Sequence, residues 1–284
     1  MNRTLHLSAF AKINLTLAVT GKREDGYHTL SSVMQQVSLH DTLQLRISDG
    51  EGVFLKTNLP YLPTDERNLC VKAVRRYFEK EALPYRVDMQ MTKRIPVAAG
   101  LGGGSADAAA VLAGLESVFH LYGSELNDLA LKLGADVPFC LHGGVCLCEG
   151  IGEVLTPLDS AASGMAVVVA KNAKGLSTPY IYQRFDALPL QSVRSSCRML
   201  DALQTGDVHE ISLAAFNDLE AVSLAEKPEI ATLKERLLQL GAVGAMMSGS
   251  GPSVFGLFAH EAAAKEAVVS LRRLGITAHF AQFL

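Results

Sequence analysis

Several signatures that would assign a function directly are missing from this chain of 284 residues. No apolar run approaches the roughly 20 residues that a membrane-spanning helix needs. No Cys-x-x-Cys pair occurs among the 5 cysteines and no His-Glu-x-x-His pattern among the 8 histidines, so the sequence indicates no zinc site. Neither Ser105, Ser248 nor Ser250 has the two glycines of a Gly-x-Ser-x-Gly nucleophile elbow.

A strong charge of one sign is also missing. The net charge of −3 provides no basic surface for nucleic acid or for an anionic membrane. The first residues alternate like a strand and lack the apolar segment of a signal peptide, and the odd number of cysteines suits a reducing compartment. We therefore expect a cytoplasmic globular protein with no nucleic-acid or membrane partner.

Glycine is abundant in one short stretch, residues 96–107, which reads PVAAGLGGGSAD. Four of the five residues 100–104 are glycine, and a run of good helix formers follows over residues 105–115. Glycines allow positive φ and bring backbone N–H groups close to a ligand, while a helix N-terminus attracts anions. The stretch predicts a phosphate-binding loop, with Ser105 or Asp107 as the N-cap of the helix.

This loop differs from the two best-known phosphate loops. It does not end in Gly-Lys-Ser/Thr, so it is not a Walker A loop, and Ser105 stands where a dinucleotide fingerprint has its third glycine. A simple strand-to-helix turn remains the alternative. A turn, however, needs only one or two residues with positive φ, so the sequence favours phosphate binding.

Hydrophobic periodicity indicates a chain that mixes strands and helices, the α+β class. Predicted strands cover residues 4–10, 13–19, 29–39, 42–48, 52–57, 85–93, 139–148, 165–170, 243–247, 253–258 and 276–283. Predicted helices cover residues 68–81, 105–115, 124–133, 194–204, 207–215, 228–240 and 260–273. A change in composition near residues 150–160 predicts a domain boundary there.

Three positions outside the loop could carry chemistry. Asp136 lies among glycine, alanine, valine and proline, where it is either a helix-cap or turn residue or else a general base or metal ligand. Lys12 opens an apolar strand, and such a lysine read alone is usually solvated or guards a strand edge. The pair Tyr27-His28 is either a surface pair or a platform on which a base stacks.

A second glycine-serine cluster, residues 247–253 (MSGSGPS), lies between two predicted apolar strands. It is either an ordinary hairpin turn or a second wall of backbone that closes over phosphates. Nucleotide sites usually draw on several loops, and this favours the second interpretation.

Taken together, three segments resemble the GHMP small-molecule kinases: residues 11–15 (AKINL), 96–105 (PVAAGLGGGS) and 248–252 (SGSGP). Residues 26–28, 134–139 and 150–153 are similar to the members of that family that act on a cytidyl-linked alcohol. The resemblance implies a two-domain α+β fold: a ribosomal-protein-S5-like nucleotide-binding domain over residues 1–155 and a ferredoxin-like domain over residues 156–284.

The resemblance also implies an activity: ATP-dependent transfer of a γ-phosphoryl group to the 2-hydroxyl of a CDP-linked methylerythritol, on the route to isoprenoids, by a monomer or homodimer. Asp136 would take the hydroxyl proton and Lys12 would steady the developing charge. Asn14 would position the sugar, Tyr27 and Tyr182 would sandwich the cytosine, and His28 would hydrogen-bond its edge. The residues implied at ATP–Mg²⁺ are Pro96, Val97, Ala98, Ala99, Gly100, Leu101, Gly102, Gly103, Gly104, Ser105 and Ala106, with Asn68 and Lys93 near the adenine and Ser105 as a possible metal contact.

Two other functions stay open at this point. The same fold could phosphorylate another alcohol, such as homoserine or mevalonate, although two tyrosines suit a flat base better. It could also be a nucleotide-binding regulator without catalysis, although a binder needs neither Lys12 nor Asp136. Two departures from the family pattern are Phe10, where proline is frequent, and Tyr182, where phenylalanine occurs.

Overall fold

The computed structural model describes residues 2–79, 85–188 and 194–284. Its strands are Arg3–Asn14 (β1), Thr16–Lys22 (β2), His28–Asp49 (β3), Gly52–Thr57 (β4), Tyr85–Thr92 (β5), Val145–Glu149 (β6), Val154–Pro157 (β7), Ala166–Lys171 (β8), Phe216–Asn217 (β9), Gly244–Met247 (β10), Val254–Phe258 (β11) and Thr277–Gln282 (β12). Its α-helices are Leu69–Phe78 (α1), Gly103–Phe119 (α2), Leu126–Leu133 (α3), Val137–His142 (α4), Thr178–Phe185 (α5), Cys197–Thr205 (α6), Val208–Ala214 (α7), Glu220–Glu226 (α8), Glu229–Gln239 (α9) and Glu261–Arg273 (α10).

The chain divides into two compact units that are discontinuous in sequence. The first unit contains Met1–Ala11, His40–Ile95 and Gly102–Gly143, and the second contains Lys12–Leu39, Pro96–Leu101 and Gly144–Leu284. The glycine loop therefore contributes its first half to the second unit and its second half to the first. The domain boundary at residue 155 stays a prediction.

The first unit packs helices against a sheet. β5 pairs antiparallel with the last part of β3, from Thr42 opposite Thr92 to Asp49 opposite Tyr85, and parallel with β4. Helix α2 packs against α1, α3 and α4, and its alanine-rich sequence allows this because small side chains let helices approach closely. Leucines, valines and methionines of β3 and β5 form the core beneath these helices.

The second unit contains a four-stranded antiparallel sheet in the order β10-β11-β8-β12. Residues 166–170 of β8 are apolar and all buried, as expected for a strand covered on both faces. Helices α9 and α10 pack on this sheet. In the same unit β2 pairs antiparallel with β3 and parallel with β9, and β6 pairs antiparallel with both β3 and β7.

The predicted mixture of strands and helices is confirmed, with one element wrong in type. Residues 139–148 were expected to form a strand, but Val137–His142 is helix α4, and the strand β6 begins only at Val145. Pro138 lies in the first turn of α4, where its missing N–H is tolerated. β3 is one continuous strand where two were expected, and α5 and α8 were not predicted. Residues 80–81 of the predicted first helix lie outside the described residues.

Candidate active site

The carbonyl groups of the glycine loop are held in a row within the second unit. Five consecutive carbonyl oxygens, from Val97 to Leu101, each accept a hydrogen bond from a residue far away in the sequence. The donors are Lys171 Nζ to Val97 O at 2.5 Å and to Ala98 O at 3.3 Å, Ser253 N to Ala99 O at 3.3 Å, Ser248 Oγ to Gly100 O at 2.9 Å and Lys12 N to Leu101 O at 3.0 Å.

This arrangement fixes where the loop's N–H groups point. In a planar trans peptide the N–H is directed opposite to the C=O of the same unit. The N–H groups of residues 98–102 therefore point away from these donors. None of the hydrogen bonds within the described parts of the chain uses these N–H groups as donors. A row of such amides is the backbone arrangement that binds anions.

Positive φ at alternate residues gives the loop its curvature. Ala98, Gly100 and Gly102 have φ of 49°, 74° and 66°. Gly100 is also fixed by space, because a Cβ at this position would lie 2.1 Å from the carbonyl oxygen of Ser248. Glycine is thus required at residue 100 for two separate reasons.

Helix α2 begins at Gly103 without a side-chain cap. Its N-cap residue is Gly102, in the left-handed region, and no side chain accepts a hydrogen bond there. The expectation that Ser105 or Asp107 caps the helix is therefore wrong, because both lie inside the helix. Gly104 is exposed and Ser105 half-buried in the first turn, so the positive end of the helix is open to an anion.

Asp107 instead takes part in a buried ion triad, defined here as Asp41, Lys93 and Asp107. Lys93 Nζ donates to Asp107 Oδ2 at 2.5 Å and also to Asp41 Oδ2, and Asp41 Oδ1 accepts from the N–H of Ile95 at 2.9 Å and from the N–H of Arg94. Burial raises the pKa of Asp107 to about 7, with Lys93 opposing and Asp41 reinforcing that shift. Burial lowers the pKa of Lys93, but the two carboxylates outweigh it and the net pKa is raised. The adenine contact predicted for Lys93 stays a prediction.

Asn68, the other residue predicted near the adenine, is the N-cap of α1. Its Oδ1 accepts from the N–H of Cys70 at 2.9 Å and its Nδ2 donates to the carbonyl of Pro63 at 2.9 Å. The side chain therefore fixes the start of the helix. Its role toward a nucleotide stays a prediction.

Lys12 and Asn14 lie side by side in the buried end of β1. Lys12 is 4% exposed and Asn14 1% exposed, and Lys12 Nζ donates to Asn14 Oδ1 at 2.7 Å. Asn14 Nδ2 in turn donates to Ser32 Oγ at 2.8 Å, and the N–H of Asn14 donates to Ser248 Oγ at 3.3 Å. A lysine buried to this degree is not a solvated guard of a strand edge, so that interpretation is wrong.

Asp136 occupies the N-cap position of α4 in the first unit. Its backbone carbonyl accepts from the N–H of Cys140 at 3.1 Å, but its carboxylate makes no capping hydrogen bond. The half-buried carboxylate is thus not used to cap the helix, which weakens the helix-cap interpretation. Because α4 packs on α2, Asp136 starts an element that contacts the helix of the glycine loop.

Two of the residues predicted to bind the cytosine, His28 and Tyr182, form a cluster with Asp186 and Lys22. The rings of His28 and Tyr182 stack with centroids 4.7 Å apart and an interplanar angle of 25°. His28 Nε2 lies 2.6 Å from Asp186 Oδ1, and Lys22 Nζ donates to Asp186 Oδ2 at 2.6 Å. Burial raises the pKa of Asp186, but the hydrogen bonds from Lys22 and His28 outweigh it and hold the pKa below its usual range. Tyr27, which precedes His28 in the sequence, is 60% exposed.

The second glycine cluster is the hairpin loop between β10 and β11, so its hairpin interpretation is confirmed. The loop also contacts the first one, through the bonds from Ser248 and Ser253 described above. Asn217 Nδ2 fixes the loop's shape by donating to Met247 O at 2.9 Å and Gly249 O at 2.8 Å. The hairpin therefore forms a wall that holds the carbonyl side of the glycine loop.

Three residues of this site were missed from the sequence: Lys171, Asp186 and Asn217. Lys171 ends a strand and Asp186 follows a short helix, positions at which a charged residue is normally solvated. Asn217 ends a two-residue strand, which is too short for any periodicity to reveal it. Only their contacts, between residues distant in sequence, show their importance.

The described residues meet neither the requirements of a membrane helix nor those of a metal cluster. In the described residues, no helix combines the length and apolar character needed to cross a bilayer. Groups of three or more histidine, cysteine, aspartate and glutamate side chains that could hold a metal are likewise absent from those ranges. A metal held mainly by phosphate oxygens needs only one or two protein ligands, so a site of that kind remains compatible with this arrangement.

Comparison with known proteins assigns the chain to a family. Residues 68–144 match the GHMP kinases N terminal domain and residues 199–277 match GHMP kinases C terminal. The chain is 40% identical over 267 residues to the 4-diphosphocytidyl-2-C-methyl-D-erythritol kinase of Alkaliphilus oremlandii, covering 93% of this chain and 91% of the relative. It is 44% identical over 256 residues to the kinase of that name from Clostridium botulinum, covering 89% and 91%.

Solved structures agree with this. A crystal structure of 4-(cytidine 5'-diphospho)-2C-methyl-D-erythritol kinase superposes with a TM-score of 0.84 at 34% identity, covering 98% of this chain and 99% of that one. Homoserine kinase from Cytophaga hutchinsonii superposes with a TM-score of 0.74 at 21% identity, covering 99% and 94%, which shows a shared fold alone. The chain belongs to the GHMP kinases and, within them, to the family of 4-diphosphocytidyl-2-C-methyl-D-erythritol kinases.

Proposed function

We propose that this protein transfers the γ-phosphoryl group of ATP to the 2-hydroxyl of 4-diphosphocytidyl-2-C-methyl-D-erythritol, a step of isoprenoid precursor biosynthesis. The observation that carries the proposal is the glycine loop, whose five carbonyls are tied back while its N–H groups point the other way. Phosphoryl transfer asks a protein mainly for positioning and charge neutralisation, and this loop supplies both. The named relatives supply the acceptor.

In this reaction Asp136 is the general base. The acceptor oxygen forms a bond to the γ-phosphorus, the bond from that phosphorus to the β–γ bridging oxygen breaks, and ADP leaves. The hydroxyl proton goes to the Asp136 carboxylate. Lys12, held by Asn14 in the buried end of β1, steadies the charge that develops on the transferred group.

The nucleotide is held by the stretch from Pro96 to Ala106, chiefly through backbone. No lysine ends the loop, so neutralisation falls to the amides, to the open N-terminus of α2 and to the Mg²⁺ that accompanies ATP. The Ser105 hydroxyl, in the first turn of that helix, is the protein oxygen that would contact the metal. This fits the preference of Mg²⁺ for phosphate oxygens plus one or two protein ligands.

The cytidyl end of the acceptor lies against Tyr27, His28 and Tyr182, and Asn14 positions its sugar. The stacking of His28 on one face of Tyr182 supports an aromatic environment for the base at this cluster. The large exposed fraction of Tyr27 leaves its ring available for the other face of a base. These contacts favour the cytidyl alcohol over homoserine or mevalonate, which carry no ring.

We also propose a nucleotide-binding domain over residues 1–155 and a second domain over residues 156–284. The two family matches lie on either side of this boundary. The expected location is the cytoplasm, and the expected state is a monomer or homodimer.

A coupled kinase assay tests the function. The purified protein with ATP–Mg²⁺ is given the cytidyl substrate, its uridyl analogue, homoserine and mevalonate, and ADP release is followed. We expect turnover with the cytidyl alcohol to exceed the others by at least about 100-fold in kcat/KM, about 3 kcal/mol of discrimination. Preference for a nucleotide-free alcohol would contradict the acceptor, and tight ATP binding without transfer to any acceptor would indicate a regulator.

A further inference from the structure

Lys171 is a half-buried cation that the proposed reaction does not use. It is the last residue of β8, and its side chain lies under the first half of the glycine loop. Burial lowers its pKa, as expected for an ammonium group removed from water. Partial removal of an ammonium from water is unfavourable unless hydrogen-bond acceptors replace the water.

The ammonium donates to two successive carbonyls, those of Val97 and Ala98, at 2.5 and 3.3 Å. Two bonds from one donor fix the rotation of both peptide planes. The N–H groups of Ala98 and Ala99 belong to these same planes and therefore point away from Lys171. Of the five tied carbonyls, these two depend on a single side chain.

The backbone here needs such support. Ala98 has φ of 49°, an uncommon conformation for a residue with a Cβ, and it persists only where the surroundings hold it. Gly175, four residues after Lys171, lies against the same place: a Cβ at Gly175 would come within 2.7 Å of Ala98 Cβ and 2.9 Å of Ala98 O. Lys171 therefore holds the carbonyls of Val97 and Ala98 by hydrogen bonds. The missing side chain at Gly175 leaves the space that Ala98 occupies.

We propose that Lys171 is a positioning residue for ATP: it orients the peptide planes of Val97 and Ala98 so that the N–H groups of Ala98 and Ala99 face the phosphates. It acts through the loop and not by touching the nucleotide. The proposal rests on the proposed function, because that function identifies the bound anion as the phosphates of ATP. The orientation itself comes from contacts within the second unit.

The first test compares Lys171→Met with Lys174→Met, an exposed lysine three residues away. The dissociation constant of ATP–Mg²⁺ is measured by calorimetry without any acceptor. KM for ATP, KM for the cytidyl alcohol and kcat are measured in the coupled assay. We expect Lys171→Met to weaken ATP binding and raise KM for ATP by about 10-fold, the worth of one hydrogen bond from a charged donor, with KM for the alcohol unchanged. Lys174→Met should match the wild type.

The second test displaces Ala98 while Lys171 is left in place. Gly175→Ala keeps the ammonium but pushes on Ala98, so a positioning role predicts a similar rise in KM for ATP. If the N–H groups of Ala98 and Ala99 did not face the phosphates, Gly175→Ala would leave ATP binding unchanged. That result, or ATP affinity within about 2-fold of wild type in Lys171→Met, would overturn the proposal.

If Lys171→Met does not fold, Gly175→Ala still tests whether the placement of Ala98 controls ATP binding, and unchanged ATP affinity in that variant would overturn the proposal. If the wild type binds ATP but phosphorylates no cytidyl alcohol, the proposed function fails, while the calorimetric comparison still tests Lys171.

Discussion

Lys93 donates to Asp107 through one carboxylate oxygen only: Nζ lies 2.5 Å from Oδ2, and the buried Oδ1 of Asp107 has no hydrogen-bond partner. Asp41, the other acid of the triad, uses both oxygens and also accepts from two backbone N–H groups. Loss of the Asp41 carboxylate would leave two backbone N–H groups without their acceptor, whereas loss of the Asp107 carboxylate would remove an acceptor from Lys93 alone.

We predict that the triad responds very unequally to substitution. Lys93→Met leaves two buried carboxylates without their cation and should lower the free energy of unfolding by about 3–5 kcal/mol. Asp107→Asn keeps the shape and removes a charge that burial already disfavours, as its pKa of about 7 shows, so it should change stability by less than about 1 kcal/mol. Urea unfolding measures both.

Lys72→Met, at an exposed position of α1, is the matched control and should unfold like the wild type. If Lys93→Met were as stable as Lys72→Met, the triad would contribute no net stability.

Asp136→Asn should lower kcat by roughly 10²–10⁴-fold, the usual contribution of a positioned general base. KM for ATP should stay near the wild-type value, because the amide keeps the shape of the side chain. Asp128→Asn, an exposed aspartate on the preceding helix, serves as control and should be fully active. Near-normal turnover of Asp136→Asn would remove this residue from its proposed role.

Many elements of the fold and several residues of the site could be predicted from the sequence. Those that could be predicted are visible as local patterns. The glycine loop, Lys12 and Asp136 stand out locally, since glycines cluster and charged residues rarely lie in apolar runs. Helix α4 could not be recognised because its residues VPFCLH are apolar enough to read as a buried strand.

The contacts that shape the site could not be predicted from the sequence. Lys93 meets partners 14 and 52 residues away in sequence, and Lys171 meets the loop across 73 and 74 residues. No periodicity links such positions. Only the fold brings them together.

Gly100→Ala should be far more damaging than glycine replacement at another residue with positive φ. Gly123 has φ of 52° and open space around its missing Cβ, so Gly123→Ala should destabilise by about 1 kcal/mol from backbone strain alone. Gly100→Ala adds a collision with the Ser248 carbonyl, which should cost roughly 1–3 kcal/mol more and weaken ATP binding. Thermal unfolding and calorimetry with ATP–Mg²⁺ check both variants, and equal effects would contradict the close approach.

Asp186→Asn should raise KM for the cytidyl alcohol by about 3–10-fold. The effect is modest because the pair of Asp186 and His28 is partly exposed, and such a pair contributes less than a buried one. The ionised carboxylate only accepts, so it keeps the proton on His28 Nε2 and fixes the ring that stacks on Tyr182. KM for ATP should not change, and Asp201→Asn, exposed on α6, should behave as wild type. A rise in both KM values would instead indicate general damage.

The same variant has a defined pH dependence. The pKa of Asp186 is lower in the folded protein than in the unfolded chain, so its stabilising effect is complete above the ordinary carboxyl pKa. It is lost as the pH falls through the folded value. The difference in melting temperature between wild type and Asp186→Asn should therefore be largest near neutral pH and vanish in acid. A difference that grows on acidification would contradict this sign.

The hairpin between β10 and β11 has a consequence for how this chain can vary. Hairpin tips usually tolerate insertions and deletions. This one holds Gly100 from 148 residues away, and Asn217 in turn grips its backbone. Adding a single residue to either loop would misalign the Ser248 and Ser253 donors with the carbonyls of Gly100 and Ala99. A chimera between relatives should therefore stay active only when both loops are inherited from the same parent.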